Sequence, residues 1–298
     1  MTLRNIFRNL IFSILRKYPP AEKMVRTILG HTHSICLDYP VNPVPRYGYG
    51  KPPHPGLHAL VSSQNNNFSS LTESFSGFST FLKQIKHSSA ENPIEPYWNN
   101  TWFYPFDAVS LYCMLALRKP KLFVEIGSGF STMFARRAIN DLRLDTKIFS
   151  IDPQPRAGIN RICDKITRTP FEDCGFDPYQ LGGNDILFID SSHRALPNSD
   201  VTMLFLETIP KLKQGVILHI HDIFIPHDYP PEFSERYYSE QYLLSSVLLS
   251  NPDYFKILLA NAYITSEPLF CELLSELRRE CGLGNCETTG SSFWLEKN

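Results

Sequence analysis

From residue 121 onward, short apolar runs alternate with stretches of helical spacing. Apolar runs predict strands over residues 122–126, 147–151, 165–169, 185–190 and 215–221, a sixth within 254–264 and a last over 292–296. Between them, apolar positions three and four apart predict helices over 132–140, 156–163, 201–213 and 237–250. Strands that are apolar on both faces and alternate with helices describe a parallel sheet covered on both sides, a doubly wound α/β fold. The first third of the chain reads differently. Residues 3–17 carry Leu3, Ile6, Phe7, Leu10, Ile11, Ile14 and Leu15 at helical spacing beside Arg4, Arg8, Arg16 and Lys17, an amphipathic helix that ends at Pro19-Pro20. Prolines then crowd residues 38–56, where a fixed φ and a missing N–H favour extended, irregular chain. A polar run over 62–70 reads as a loop, 71–85 as a helix, and 106–117 as a helix behind the aromatic segment 96–105. The natural division is an extension over 1–95 and an α/β domain over 96–298.

One stretch organises the second part. Phe123, Val124 and Ile126 form a strand; Gly127 and Gly129 form a turn that backbone or ligand can approach closely. Ser131 and Thr132 are placed to cap the following helix, whose free N–H groups would face a ligand. This is the front of a nucleotide-type site. A dinucleotide fingerprint wants a third glycine where Thr132 stands, so the motif alone is weak support for NAD. Asp152, at the end of the second strand, suits either ligand class, because a carboxylate there accepts both hydroxyls of a ribose. Two further polar clusters close apolar strands: Asp190-Ser191-Ser192-His193 and His219-Ile220-His221-Asp222. Both open at the carboxyl edge of the sheet, where ligands bind in α/β folds. Acids and histidines converging there make a general base or a metal site. His219 reads equally well as a hydrogen-bonded core histidine. Asp228 and His227 in the next loop, and Glu240 and Gln241 on the next helix, are within reach of the pocket rim, but a solvated loop and helix face is the simpler reading.

Composition adds limits. The 298 residues carry a formal net charge of −1, which gives no electrostatic ground for a nucleic-acid partner. Seven cysteines are not a disulfide framework and fit free thiols in a reducing, cytoplasmic setting. No stretch is long and apolar enough to span a bilayer. The helix over 3–17 is left with packing on its own domain, a homodimer contact or peripheral attachment to a membrane surface. His31 and His33 have no evident third ligand and read as loop histidines.

Glu125-Ile126-Gly127-Ser128-Gly129-Phe130-Ser131 resembles the first motif of the class I S-adenosylmethionine-dependent methyltransferases. Asp152, Asp190 and the 215–221 strand follow at that family's spacing, and residues 290–295 resemble its last strand. The resemblance covers roughly residues 100–298 and is nearest to the small-molecule O-methyltransferase-like branch. It implies a mostly parallel seven-stranded, Rossmann-like methyltransferase sheet behind an N-terminal helical and Pro-rich extension. It implies S-adenosylmethionine as cofactor, with Glu125, Gly127, Ser128, Gly129 and Ser131 around its methionine part and Asp152 on its ribose. Asp190 and Ser191 would also line that site, and Phe171, Glu172 and Asp173 would stand near the adenine. It further implies a divalent metal such as Mg on Asp190 and Asp222, with His221 beside them. The chain departs from the metal-dependent pattern in one place, where Ile223 follows Asp222 instead of an acid or amide. On this reading the acceptor is a small polar molecule (sugar, polyketide, peptide or phenol), and its hydroxyl proton leaves to His221 or His193 or is loosened by the metal. Asp190, His193, His221 and Asp222 are the catalytic candidates. The competing expectations are a non-catalytic binding module of the same fold, attached to a membrane through residues 3–17, and a dinucleotide oxidoreductase.

Overall fold

The computed structural model describes residues 41–89, 92–155, 158–286 and 289–298. The amphipathic helix expected over 3–17, and His31 and His33, lie outside these. Residues Val44–Asn298 form one compact unit.

Its centre is a seven-stranded sheet: β1 (Leu122–Ile126), β2 (Lys147–Ile151), β3 (Lys165–Thr167), β4 (Ile186–Ile189), β5 (Ile217–Ile220), β6 (Phe255–Ala260) and β7 (Phe293–Lys297). The order is β3-β2-β1-β4-β5-β7-β6. The first five strands are parallel, with Val124 level with Phe149 on one side and Leu187 on the other. β7 is inserted antiparallel between β5 and β6, pairing Leu218 with Leu295. A dinucleotide-binding sheet is parallel throughout; the reversed last strand sets this one apart. β4 and β5 are buried at every position, as expected for strands covered on both faces.

Helices α1 (Pro55–Ser62), α2 (Asn65–Ser74), α3 (Pro105–Arg118), α4 (Phe130–Leu142), α5 (Glu240–Ser250), α6 (Asn261–Ser266) and α7 (Cys271–Cys281) cover the sheet. α3 is buried along nearly its whole length and packs on α4. Pro105 opens it, where a missing N–H costs nothing, and Lys119 in the left-handed region closes it. α1 packs on α5, and α2 on α7 and β6, so these N-terminal helices share the core of the sheet.

Several expected helices differ, and the one expected over 156–163 keeps, among the described residues, only a 3-10 turn at Ile159–Ile162. α2 begins inside the polar run expected to be a loop. Phe68, Thr72 and Phe75 recur at helical spacing and are fully buried, so tertiary packing overrides the poor helix preference of Asn and Ser. The single helix expected over 71–85 breaks instead into short turns around Gly77. The helix expected over 201–213 is one α-turn (Asp200–Met203), a π-turn (Leu204–Thr208) and a 3-10 turn (Ile209–Lys211). Pro210, which cannot donate to the ladder, forces that ending. No helix among the described residues is long and apolar enough to cross a membrane, and the six described cysteines are free thiols.

Candidate active site

The turn after β1 is built without a side chain because there is no room for one. Gly127 has φ +83°, and a Cβ on it would stand 1.8 Å from the Asp190 carbonyl oxygen. The turn after β1 and the end of β4 therefore meet backbone to backbone. Gly129 has open space where its side chain would be. α4 starts at Phe130, so Ser131 and Thr132 lie inside its first turn, where Thr132 still helps to cap it by accepting the N–H of the N-cap residue Gly129. Both hydroxyls donate to Glu125, Thr132 Oγ1 to Oε1 at 2.5 Å and Ser131 Oγ to Oε2 at 3.1 Å, while the Gly129 N–H donates to Thr132 Oγ1. Glu125 is fully buried, one layer below the turn it braces, and outside both clefts described next. Burial pushes its carboxyl up to about 8, against the pull of Thr132 and Ser131.

Above the turn lies a cleft of about 570 Å³, lined among others by Gly127, Ser128, Asp152, Phe171, Asp190 and Ser191. Asp152 is held at its edge by two backbone donors, Ser128 N to Oδ2 (2.7 Å) and Gln154 N to Oδ1 (2.8 Å). Glu172 also lines the cleft; Asp173 is exposed and does not. Ser191 Oγ is buried without a protein partner. A smaller gap of about 60 Å³, between Trp102, Phe103, Gly129, Ser131 and Asp190, adjoins it. Ser128 and Asp190 line both.

Behind Asp190 stands a buried acid–histidine cluster. His193 and Asp222 both adopt left-handed backbone, φ +57° and +56°, which turns the chain at the ends of β4 and β5. His193 Nε2 lies 3.2 Å from Asp190 Oδ1 and 3.7 Å from Asp222 Oδ2, and His193 Nδ1 lies 2.9 Å from Glu240 Oε2. His221 Nδ1 lies 3.6 Å from Asp190 Oδ1 and 3.5 Å from Asp222 Oδ1, and His221 Nε2 lies 3.2 Å from Asp107 Oδ2. Burial pulls both imidazoles down, but the carboxylates outweigh it and hold them well above the usual histidine range. Burial likewise pushes Asp190 up, and the two histidines outweigh it and hold its carboxyl well below the usual range. His219 shares the strand face of His221 but belongs to the core. It stacks on Trp294 at 3.7 Å, meets Ser292 Oγ at 2.6 Å, and is pulled well below the usual range by burial.

Of the acids that back the two histidines, Asp107 has no place in the sequence reading and Glu240 only one at the pocket rim. Asp107, in the first turn of an otherwise apolar helix, is buried and accepts from Ser291 N, Ser292 N and Asn261 Nδ2. An acid between Phe106 and Ala108 is the signal that was there to find. Glu240 and Gln241 are not a solvated face; both are buried, Glu240 against His193 and Gln241 bonded to Phe224 N and the His227 carbonyl. Asp228 is also buried and accepts from Arg46 N and Tyr47 N.

The pattern of strands, glycine turn and acids has a counterpart in known proteins. Residues 124–223 match the model of a family described as a methyltransferase domain. The chain carries a methyltransferase domain over these residues. Its sheet, with β7 reversed between β5 and β6, is the Rossmann-like methyltransferase sheet that the motif implies. Among solved structures the methyltransferase domain is similar to SAH-bound Podospora anserina methyltransferase PaMTH1, at 17% identity over 64% of this chain and 77% of that one, with a TM-score of 0.39. It is also similar to cmcI-N160 with SAH, at 15% identity over 72% of this chain and 88% of that one, with a TM-score of 0.37. No curated protein matches the chain.

The methyltransferase site fits both groups that its family implies. The cleft wall of Gly127 and Ser128, the fixed carboxylate of Asp152 and the unpartnered Ser191 hydroxyl suit the cofactor. One donor atom each from Asp190, His193 and Asp222 lies within 4.8 Å of the others, a spacing a cation can bridge. The unpartnered Nδ1 of buried His221 faces the same two carboxylates.

Proposed function

We propose that the protein methylates an oxygen of a small polar acceptor, using S-adenosylmethionine bound in the cleft lined by Gly127, Asp152 and Asp190. One observation carries this reading: Asp190 lines both the large cleft and the small aromatic-walled gap, and is itself part of the acid–histidine cluster. A ligand in the cleft and an acceptor in the gap would therefore meet beside proton-handling groups. The cofactor supplies an activated methyl group on a cationic sulfonium. Asp152 takes the ribose hydroxyls, Gly127 and Ser128 give the backbone surface against the methionine part, and Phe171 lies along the adenine side. Trp102, half exposed, and Tyr104, at the mouth near His221, offer a flat surface to a sugar or phenolic ring. Catalysis is then chiefly alignment of the acceptor oxygen with the methyl group.

The acceptor proton leaves towards Asp190, Asp222 and the two histidines. Both imidazoles carry protons of their own when only carboxylates surround them, and a protonated ring accepts nothing. The arrangement therefore favours a cation held by Asp190 and Asp222, which would stabilise the acceptor alkoxide, over a free histidine base. Isothermal titration with S-adenosylmethionine and with NAD, followed by transfer of labelled methyl to sugars, phenols, polyketides and peptides, tests the proposal. Saturable binding of S-adenosylmethionine and a labelled ether or ester product are expected. Binding of NAD alone, or transfer only to nitrogen or carbon, would sink it.

A further inference from the structure

We infer that Asp190, Asp222 and His193, with His221 beside them, form a mixed oxygen and nitrogen site for a first-row transition-metal dication, rather than an all-oxygen site for magnesium. It deepens the methyl-transfer reading by naming the ion, and its test needs neither cofactor nor acceptor.

The first support is convergence. His193 Nε2 and His221 Nδ1 approach the same two carboxylates, at 3.2 and 3.7 Å for one ring and 3.6 and 3.5 Å for the other. Donors around a single ion at ~2.1 Å stand ~3–4 Å apart; Asp190, His193 and Asp222 offer one donor atom each within 4.8 Å of the others, and His221 Nδ1 stands beside that set. The second support is the far side of each ring. His193 Nδ1 meets buried Glu240 at 2.9 Å, and His221 Nε2 meets buried Asp107 at 3.2 Å. A carboxylate there takes the N–H and fixes the tautomer, leaving the lone pair on the opposite nitrogen. The two rings use opposite nitrogens, yet both lone pairs are delivered to the gap between Asp190 and Asp222.

Asp107 is itself fixed, and Glu240 is held by its backbone and by His193, its other oxygen Oε1 being buried without a hydrogen-bond partner. Asp107 accepts from Ser291 N, Ser292 N and Asn261. Glu240 opens α5, whose first N–H groups, from Ser239 and Glu240, donate to the His193 carbonyl. The third support is the vacant bonding capacity of His221: its Nδ1 is buried with no hydrogen-bond partner. An imidazole between two carboxylates, with a second imidazole alongside, matches manganese, iron, cobalt or zinc, whereas magnesium keeps oxygen ligands and water.

The test uses the full chain, stripped with chelator and titrated separately with Mn²⁺, Zn²⁺ and Mg²⁺. Mn²⁺ and Zn²⁺ should bind at least about 10-fold more tightly than Mg²⁺. Pulsed electron paramagnetic resonance of the Mn²⁺ form should show modulation from directly bound ¹⁴N, which needs no variant and so does not depend on any variant folding. H193A and H221A should each remove part of that modulation, and E240Q should weaken Mn²⁺ binding about 10–100-fold while keeping the nitrogen signal. Mg²⁺ binding as tight as Mn²⁺, Mn²⁺ bound without nitrogen modulation, or no saturable binding would each overturn the inference. Metal bound as described but no methyl transferred would leave the site standing and remove the reading of its purpose.

Discussion

Gly127 and Glu125 show how little freedom the centre of the site allows a single residue. Replacing Gly127 with alanine adds a Cβ at a left-handed position, 1.8 Å from the Asp190 carbonyl. The turn after β1 and the end of β4 must separate, and Gly127→Ala should lose about 2–4 kcal/mol of stability together with cofactor binding. Urea unfolding and titration with S-adenosylmethionine measure the two effects. Glu125 supplies a pH dependence of known sign. Its carboxyl is raised by burial from 4.5 to about 8, so the folded state holds the proton more tightly than the unfolded chain. Its contribution is complete below about pH 4.5 and is lost as pH rises towards 8. Glu125→Gln removes that loss. The stability of the variant relative to wild type should climb by a few kcal/mol (order of magnitude) between pH 5 and pH 8. A flat difference across that range would show that Glu125 is ionised in the fold.

At the scale of elements, legibility follows a physical divide. β1, β2 and the positions of Gly127, Asp152 and Asp190 could be read because a buried parallel strand leaves a continuous apolar run and a glycine turn leaves its own mark. α2 could not, because its apolar stripe of Phe68, Leu71 and Phe75 is set among Asn and Ser and is held by packing against distant elements. Nor could the acids behind the histidines. Asp107 reaches His221 across 114 positions and Glu240 reaches His193 across 47, contacts that no local pattern records. The proline-rich arm belongs to the same class. Its residues are tied down by Asp228, whose carboxylate accepts from Arg46 N at 2.5 Å and Tyr47 N at 3.0 Å, while Tyr49 Oη donates to its carbonyl at 3.2 Å. Asp228→Ala leaves two N–H groups unpaired, about 1–3 kcal/mol of local stability. Trypsin should then cut at Arg46 or Lys51 faster than in wild type. None of the described arm residues lines the cofactor cleft, so affinity for S-adenosylmethionine should be unchanged; a parallel loss of affinity would tie the arm to the cleft.

At the scale of the whole molecule, the sheet gathers residues from distant parts of the chain, and the carboxyl edges of β1, β2, β4 and β5 present Gly127, Asp152, Asp190 and Asp222 side by side. A ligand in the cleft bridges strands whose separation is part of global unfolding, so binding and stability are linked. At about 100 times its Kd, S-adenosylmethionine adds about 2.7 kcal/mol to the folded state. For a unit of this size that is a rise in Tm of about 5–10 °C. NAD at the same concentration should give no shift. The two acids of the edge should separate in the same measurement. Asp152→Ala removes the carboxylate proposed to take the ribose hydroxyls and should abolish the shift along with turnover. Asp190→Asn keeps a side chain of the same shape against the cleft but breaks the pairing with His193 and His221. It should therefore retain most of the shift while methyl transfer is lost. If instead both variants lose the shift equally, Asp190 holds the cofactor rather than the acceptor chemistry, and the division of labour between the ends of β2 and β4 is wrong.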